Sequence, residues 1–338
     1  MTIILLKNST LITIRSVRKK EADMKVVIME SLGISEQELR DRQKPFEDKG
    51  VVFESFAKTT DKDKLIEEAR DADAMILANM PMSADVLRAC PNLKFIDIAF
   101  TGVDHVGLEA AKERGIAVSN ASGYSNEAVS ELVLGMALSL ARNMREVEGR
   151  CREGKTKDGL VGWELKGKTI GIIGLGKIGS RTAELFHAFG CDILAQSRTI
   201  HKEVPAYIKQ VPQEELLANA DIVVLHCPLN DSTRGMIDAK KLAMMKSSAM
   251  LINVARGPVV VEKDLADALG NGVIACAGID VFDKEPPLDV NSPLLHAPNA
   301  LVTPHVAFAT KESMSLRAKI VFENLQNWMD GKQSNVVM

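Results

Sequence analysis

Cysteine is scarce in this chain, and the few cysteines present form no recognisable framework. Five occur, at Cys90, Cys151, Cys191, Cys227 and Cys276, widely spaced and without a Cys-x-x-Cys pair. Disulfide scaffolds and zinc sites use paired cysteines at short, regular spacings. The sequence therefore predicts neither a disulfide framework nor a metal site, and it favours a cytoplasmic location.

Long hydrophobic runs and an excess of charge of one sign are also absent. No apolar run approaches the roughly 20 residues that a membrane-spanning helix needs. The 42 basic and 45 acidic residues are well mixed and give a formal net charge of -3. We therefore expect no nucleic-acid partner and no membrane partner, and a small-molecule substrate is the better expectation.

Length and apolar content indicate a folded chain of two domains. An apolar content of 46% over 338 residues is enough to bury a substantial core. In residues 1–23, short apolar stretches precede a basic cluster, whereas a secretory signal carries its charge first. Because Met24 directly precedes a strand-like segment, we assign residues 1–23 as an N-terminal extension outside the fold.

Short apolar segments alternate with helical patterns along nearly the whole chain, which is typical of a doubly wound, parallel α/β fold. The strand-like segments fall into two series. The first comprises residues 26–29, 51–56, 74–77, 95–99 and 116–118, and the second comprises residues 169–173, 193–196, 222–225, 250–253, 274–279 and 301–302. Two series predict two parallel sheets, each in a Rossmann-like domain.

Between the two series lies the strongest helical pattern of the sequence. Apolar residues recur at spacings of three and four from Val129 to Met144, and Ser125 stands where an N-cap is expected. This predicts one continuous helix that packs in the core or between subunits. A last helix, over residues 311–328, follows the second series, and we expect it to return to the first domain.

A glycine-rich loop follows the first strand of the second series. The residues are Gly174, Leu175, Gly176, Lys177, Ile178 and Gly179. In a Gly-x-Gly-x-x-Gly loop the glycines permit a tight turn, a close approach to a pyrophosphate and close helix packing, and the helix N-terminus faces the anion. Because the loop stands after a strand and before a helical segment, it predicts a dinucleotide site.

The acid that usually binds the adenosine ribose has no counterpart at the end of the next strand. Asp192 lies before that strand, at the wrong end, and the strand runs into Ser197 and Arg198. A guanidinium without a carboxylate beside it suits a 2′-phosphate. We therefore predict NADP or NAD as the cofactor, with NADP slightly favoured; the alternative is that Arg198 stacks on the adenine.

Three residues near the ends of second-series strands have the chemistry needed to reduce a 2-keto acid. That reaction needs a cation to bind the carboxylate and polarise the carbonyl, a proton donor, and a carboxylate that keeps the donor protonated. Arg256, His305 and Glu285 match these roles in turn. Open α/β sheets bind ligands at the carboxyl ends of their strands, so we predict that the three residues meet there.

From Met24 to the C-terminal helix the chain resembles the D-isomer-specific 2-hydroxyacid dehydrogenase family. The motifs that carry the resemblance appear in order: Gly102-Val103-Asp104, residues 115–120, the helix after Ser125, residues 174–179, His226-Cys227-Pro228-Leu229, the Arg256 segment, residues 280–286, and Pro304-His305. The resemblance implies an NAD(P)-dependent oxidoreductase that transfers a hydride between the nicotinamide and C2 of a small D-2-hydroxy acid or 2-keto acid.

The resemblance also implies roles for individual residues. It implies that His305 is the general acid/base paired with Glu285, and that Arg256 and the backbone of Thr101, Gly102 and Val103 bind the substrate carboxylate. Beyond the glycine loop, it implies cofactor contacts from Ser197, Arg198, Cys227, Pro228, Thr233, Val254 and Asp280.

At the level of the whole chain, the resemblance implies a discontinuous substrate domain and an inserted nucleotide domain with a cleft between them. Residues 24–120 and 306–338 form the substrate domain, and residues 121–305 form the dinucleotide-binding domain. The family is commonly dimeric, so we expect a homodimer built partly on the helix after Ser125.

Several positions bear on the substrate. Ile98 stands where phosphoglycerate dehydrogenases carry arginine, which disfavours that alternative activity because a phosphate would lack its counter-charge. Tyr124 is similar to the residue of glycerate dehydrogenases and of hydroxypyruvate or glyoxylate reductases; the alternative is that it simply packs at the helix entry. Ser122 replaces a common proline in the segment before it. Phe100, Met80 and Met82 are candidates to line an apolar pocket, although methionines at such spacing are more often core residues. A second alternative is a dinucleotide-sensing scaffold similar to the corepressors of this fold, against which the presence of all three catalytic residues weighs.

Overall fold

The computed structural model describes residues 24–200, 202–285 and 288–338. In these residues two parallel sheets are each flanked by helices. The predicted N-terminal extension, residues 1–23, lies outside the described residues.

The first sheet has the strand order β2-β1-β3-β4-β5. All of its strands run parallel, and they are β1 (Lys25–Ile28), β2 (Val52–Ser55), β3 (Ala74–Leu77), β4 (Phe95–Ile98) and β5 (Ala117–Asn120). The central strands β3 and β4 are buried along their whole length, as expected for a parallel sheet covered on both faces. The helices of this part are α1 (Glu36–Glu47), α2 (Lys62–Ala69), α3 (Ala84–Arg88) and α4 (Leu108–Glu113).

The second sheet has the strand order β12-β11-β10-β9-β6-β7-β8. Its strands are β6 (Thr169–Ile173), β7 (Asp192–Gln196), β8 (Ile208–Gln210), β9 (Ile222–Leu225), β10 (Met250–Asn253), β11 (Cys276–Ile279) and β12 (Ala300–Val302). Its helices are α7 (Lys177–Ala188), α8 (Gln213–Asn219), α9 (Ala239–Leu242) and α10 (Glu262–Gly270). The order reverses between β6 and β9, which is where open α/β sheets form their ligand crevice.

Two further helices join the parts. Helix α5 (Asn126–Ala141) leaves the first sheet and packs against α7 and the second sheet, and α6 (Met144–Arg152) follows it. Helix α11 (Lys311–Met329) begins at a capping box between Thr310 and Ser313 and packs on β4 and β5. There Trp328 stacks on Phe95 with ring centroids 4.8 Å apart. The first part is therefore built from two separate segments, as the family resemblance predicted.

The helix predicted from Val129 to Met144 proves to be two helices. Helix α5 ends at Ala141, and Asn143 adopts the left-handed conformation (φ 49°) before α6 begins at Met144, which is largely exposed. Ser125 does occupy the N-cap position of α5, but its side chain makes no capping hydrogen bond. The apolar periodicity continues through the break because apolar spacing carries no information about a single left-handed residue.

Candidate functional site

A cleft of about 650 Å³ lies between the carboxyl ends of the two sheets. The loops after β4 and β5 line it on one side, and the loops after β6, β9, β10 and β12 line it on the other. The predicted site residues that line it are Thr101, Gly102, Val103, Gly176, Lys177, Ile178, Gly179, Cys227, Pro228, Val254, Arg256 and His305. Residues far apart in the sequence thus meet at one crevice.

The His305 ring is fixed by contact with a carboxylate and by a tightly bonded loop. Its Nδ1 lies 2.8 Å from Glu285 Oε1, and both side chains are mostly buried. His305 has a φ of 54°, in the left-handed region that non-glycine residues rarely occupy. Such a conformation persists where surrounding bonds hold it, and it concentrates at functional sites.

Asp280, the residue that follows β11, supplies those bonds. Its carboxylate accepts hydrogen bonds from Thr303 Oγ1 (2.5 Å) and from the backbone N–H groups of Val306 and Ala307 (2.9 Å each). The backbone N–H of His305 donates to the Asp280 carbonyl at 2.7 Å. Burial raises the pKa of Asp280, and the three donors act in the opposite direction. Asp280 was predicted as a cofactor contact; in the structure its side chain is buried and anchors the His305 loop.

Arg256 projects from the loop after β10 toward the first part of the chain. Its Nε lies 3.1 Å from Asp104 Oδ1, and its guanidinium stands 5.5 Å from the centroid of Phe100. A Cβ at Gly102 would overlap the Arg256 Nη2. Only glycine therefore allows the guanidinium to lie against the backbone at residue 102, where a carboxylate could be bound by both.

The turn that carries Arg256 is held by the side chain of Asn253, the last residue of β10. Its Nδ2 donates to the Arg256 carbonyl at 3.0 Å, and its Oδ1 accepts from the Ala255 N–H at 3.1 Å. Arg256 Nη1 in turn donates to the Ala255 carbonyl. The guanidinium is thus positioned before any ligand arrives.

The glycine loop lies at the centre of the second sheet, between β6 and α7. Gly174 has a φ of 104°, and a Cβ there would lie 2.6 Å from the carbonyl carbon of His226. The first N–H groups of a helix have no intrahelical partner, so those at the start of α7 face the cleft, which Gly176, Lys177, Ile178 and Gly179 line. These features fit the pyrophosphate of a dinucleotide. Gly174 and Leu175 belong to the loop but do not line the cleft, and the Leu175 side chain is buried.

The other predicted cofactor residues are divided between the cleft and its margin. Cys227, Pro228 and Val254 line the cleft, and burial raises the pKa of the Cys227 thiol to about 11, so the thiol is protonated at neutral pH. Thr233 donates to the Pro228 carbonyl at 2.7 Å and so shapes the loop after β9. Ser197 and Arg198 follow β7 outside the main cleft, with Arg198 exposed. Asp192 stands at the opposite end of β7, as the sequence indicated.

Aromatic side chains form one wall of the cleft beside His305. The Phe100 ring centroid lies 5.1 Å from that of Phe308 and 5.7 Å from that of His305, and Tyr124 packs against both phenylalanines. Burial raises the pKa of Tyr124 to about 12, so its hydroxyl is neutral and can donate. Met80 and Met82 are fully buried in the core away from the cleft, which is the alternative that methionines at such spacing favour over a pocket position.

Sequence reasoning gave no role to Asp104, Phe308 or His226. His226 follows β9 and lines the cleft, and burial lowers its pKa to about 3, so its imidazole is neutral. Asp104 and His226 lie in segments that carry the family resemblance. Their positions after strands were the sequence feature that could have indicated a place in the site. Phe308 follows a loop and has no such signal.

The described residues contain no candidate metal-binding cluster and no candidate membrane-spanning helix. In residues 24–200, 202–285 and 288–338 no group of three or more His, Cys, Asp or Glu side chains could hold a metal ion. Over the same part of the chain, no helix is long and apolar enough to cross a membrane.

Comparison with known proteins identifies the family. The sequence model of the D-isomer specific 2-hydroxyacid dehydrogenase NAD-binding domain matches residues 134–307. The hydroxypyruvate reductase of Blautia hydrogenotrophica is 34% identical over 82% of this chain and 88% of that protein. The glyoxylate reductase of Aeropyrum pernix is 38% identical over 79% of this chain and 83% of that protein. The crystal structure of the TT0316 protein from Thermus thermophilus superposes with a TM-score of 0.84 at 33% identity, covering 93% of this chain and 100% of that one.

The chain therefore belongs to the D-isomer-specific 2-hydroxyacid dehydrogenase family. It is a D-2-hydroxyacid dehydrogenase with an NAD-binding domain, and the fold predicted from the sequence is confirmed.

Proposed function

We propose that the protein reduces a small 2-keto acid, such as glyoxylate or hydroxypyruvate, to the D-2-hydroxy acid with NADPH or NADH. When bound, the nicotinamide supplies the hydride. The observation that carries the proposal is that His305, in contact with Glu285 at 2.8 Å, faces the same cleft as Arg256 and the glycine loop.

In this proposal the residues of the chain bind the substrate and move the proton. Arg256 and the backbone at Thr101, Gly102 and Val103 bind the carboxylate and hold the carbonyl. His305 Nε2 donates the proton to the carbonyl oxygen as the hydride reaches C2. The imidazole must be protonated before this step, and the Glu285 carboxylate stabilises that protonated form. Gly176, Lys177, Ile178 and Gly179 would hold the pyrophosphate, and Gly174 and Leu175 shape that loop. Cys227, Pro228 and Val254 would pack against the cofactor, and Thr233 and Asp280 support the loops that carry these residues.

A small substrate fits the wall of the cleft. Phe100, Tyr124 and Phe308 offer apolar surface and one hydroxyl beside His305. Ile98, which replaces the arginine of phosphoglycerate dehydrogenases, is fully buried in β4. No charge at that position is available for a phosphate, so we propose hydroxypyruvate or glyoxylate in preference to a phosphorylated acid.

The experiment that tests this proposal is a substrate panel. The purified protein is assayed with glyoxylate, hydroxypyruvate, pyruvate and longer keto acids, with NADPH and with NADH. We expect glyoxylate or hydroxypyruvate to give the highest kcat/KM. Absence of cofactor oxidation with every member of the panel would refute the proposal.

We further propose that NADP is the preferred cofactor, because exposed Arg198 follows β7 and no acid occupies the carboxyl end of that strand, the position where dinucleotide folds bind the adenosine ribose. Arg198→Ala should reduce kcat/KM for NADPH about tenfold or more, since a charge-assisted contact contributes about 1.5–3 kcal/mol, and should change NADH little. Lys209→Ala, at an exposed residue of neighbouring β8, is the matched control. Equal losses for both cofactors would contradict the assignment.

The organisation of the molecule completes the proposal. We propose that residues 24–120 and 306–338 act as the substrate domain and residues 121–305 as the nucleotide domain, and that the cleft closes on substrate. The protein is proposed to be a cytoplasmic homodimer whose interface includes the segment after α5, where Met144 and Val161 expose apolar side chains to 53% and 78%.

A further inference from the structure

A second, smaller cavity of about 180 Å³ adjoins the proposed catalytic pair. It shares Arg256 and His305 with the main cleft, but His105 and Glu285 line only this second cavity. Asn79, Asp283 and Pro258 complete its polar and apolar walls. The side of the His305–Glu285 pair that faces away from the proposed substrate site therefore borders a separate cavity with polar lining residues.

Two buried atoms at this cavity lack a hydrogen-bond partner. Within residues 24–200, 202–285 and 288–338, neither Glu285 Oε2 nor His105 Nε2 has one. The two prolines that follow Glu285 have no N–H to offer. Unpartnered buried polar atoms are costly and uncommon in folded proteins, so each requires an explanation.

The hydrogen-bonding state of His105 follows from its surroundings. Its imidazole is hydrogen-bonded to the backbone of Ala78, and since Nε2 has no partner among the described residues, Nδ1 is the nitrogen that donates to the Ala78 carbonyl. Burial lowers the pKa of His105, so the ring is neutral and Nε2 carries a lone pair. His105 Nε2 and Glu285 Oε2 are thus both acceptors, and they cannot bond to one another.

A water molecule donates two hydrogen bonds, so one molecule within reach of both atoms would satisfy both acceptors. Water occupies about 30 Å³ of liquid volume and enters buried sites that are polar and offer two to four partners. The second cavity is larger than this volume and has polar lining residues, and His105 and Glu285 both line it. No other neutral donor is available from the described side chains that line it, apart from the amide of Asn79.

We propose that His105 is a positioning residue for the proton donor: its Nε2 holds a water molecule whose second hydrogen bonds Glu285 Oε2 and so fixes the carboxylate against His305 Nδ1. The inference rests on the proposed role of His305. With Oε1 bonded to the imidazole and Oε2 bonded to water, the carboxylate cannot rotate away, and its negative charge is solvated without contact with bulk solvent.

Other charged groups surround this pair and stay in place when His105 is replaced. Asp104 and Arg256 form an ion pair with each other. The remaining charged groups that face the cavity or act on its residues are Asp280, Asp283, Glu30, Glu262 and Arg234. Because none of them contacts Glu285 Oε2, none can substitute for the water.

The kinetic test compares two substitutions of His105 with a neighbouring control. His105→Phe keeps the ring and removes the acceptor; His105→Gln keeps an acceptor. We expect His105→Phe to move the high-pH limb of kcat for keto-acid reduction downward by about half to one pH unit, the equivalent of one hydrogen bond, with KM changed less than about twofold. His105→Gln should restore most of the shift.

Val106→Ala is the control, because Val106 is buried beside His105 without touching the cavity. It should lower the melting temperature and leave the pH profile unchanged. An equal shift in Val106→Ala would make the effect of His105→Phe merely structural and would overturn the inference, as would an unchanged profile in His105→Phe.

A crystal structure of the wild-type protein at high resolution gives a readout independent of turnover. We expect a water oxygen within about 2.7–3.2 Å of both His105 Nε2 and Glu285 Oε2, and its loss in His105→Phe. A dry cavity in the wild type would overturn the inference even if the enzyme is active. If the wild type reduces no keto acid, the proposed function fails, and the water position still decides whether the His105–Glu285 link exists.

Discussion

At the scale of single residues, the site combines a fixed histidine, the proposed proton donor, with a fixed cation. His305 is held by the Glu285 carboxylate on its ring and by Asp280 on its backbone, and Arg256 is held by the Asn253 side chain. Preorganised groups of this kind need no rearrangement when charge develops during the reaction. Substitutions at His305 and Glu285 should therefore affect the rate more than substrate binding.

Replacing the proton donor tests this expectation. His305→Ala should lower kcat about 10²- to 10⁴-fold, the usual contribution of a general acid, with a smaller change in KM. Steady-state kinetics with the best keto acid of the panel measure both. His296→Ala, at an exposed histidine of the same part of the chain, is the control, and full activity in His305→Ala would refute the role assigned to His305.

Replacing its carboxylate partner should change the pH dependence. In Glu285→Gln the imidazolium loses its negative neighbour, so the protonated donor persists only at lower pH, and the profile for reduction should move downward. The measurement is kcat against pH for wild type and variant. The control is Asp289→Asn, which should keep the wild-type profile. Asp289 is a carboxylate farther along the same loop, and it pairs with Lys284 at 3.6 Å. A wild-type profile in Glu285→Gln would mean that the contact with His305 has no catalytic role.

The sequence indicated Arg256, Glu285 and His305 because each carries reactive chemistry just past a strand-like segment. It could not indicate that Asp104 pairs with Arg256 across 152 positions, because the contact depends on how the two sheets face each other. Likewise Asp280 is a plain acid in the sequence, and only the folded loop shows that its carboxylate holds three hydrogen bonds around His305.

At the scale of elements, the apolar strands were predictable and the exceptions have local causes. Strands β3, β6, β9 and β10 match their predicted bounds, since a strand buried on both faces is a short unbroken apolar run. Strand β8 was missed because it is a three-residue edge strand, Ile208–Gln210, with a single buried residue. Edge strands carry polar residues and give little apolar signal.

The contact between β4 and α11 contains a buried acid with a measurable consequence. Asp97 is fully buried and accepts from Asn324 Nδ2 at 3.0 Å, while its Oδ2 has no partner in the described part of the chain. Burial raises the pKa of Asp97 well above its usual value. In the unfolded chain the carboxyl ionises near pH 4, so between that pH and the raised folded pKa the unfolded state binds fewer protons.

The unfolding free energy should therefore fall as pH rises through that window, by up to about 1.4 kcal/mol per pH unit from this group. Asp97→Asn removes the ionisation, so the variant should lose stability less steeply than the wild type as the pH rises above the pKa of an unfolded carboxyl group. Thermal melting over this range measures the difference. Asp192→Asn, at an exposed acid, should retain the wild-type slope, and parallel curves for Asp97→Asn and wild type would contradict the assignment.

At the scale of the whole molecule, neither sheet contains the site alone. Arg256, Glu285 and His305 belong to loops of the second sheet, whereas Thr101 to Val103 and the aromatic wall at Phe100 and Tyr124 belong to the first. Helix α11 begins shortly after His305 and returns to β4. The loop that carries His305, the proposed proton donor, is therefore also a connection between the two parts.

The same view of the molecule leads to the dimer prediction. Helix α5 packs on α7 and on strands β10 and β11, and the chain after it exposes the apolar side chains of Met144 and Val161 to 53% and 78%. Contiguous exposed apolar surface marks interaction sites, so we propose that these two residues contribute to the interface. We expect the wild type to have twice the mass of one chain by light scattering after size exclusion. Val161→Asp should shift the protein toward the mass of a single chain, because an unpaired charge in an interface is costly. Val290→Asp, at a residue 73% exposed outside this segment, should remain dimeric. A wild-type mass of one chain would exclude the dimer. An unaltered dimer in Val161→Asp would place the interface elsewhere.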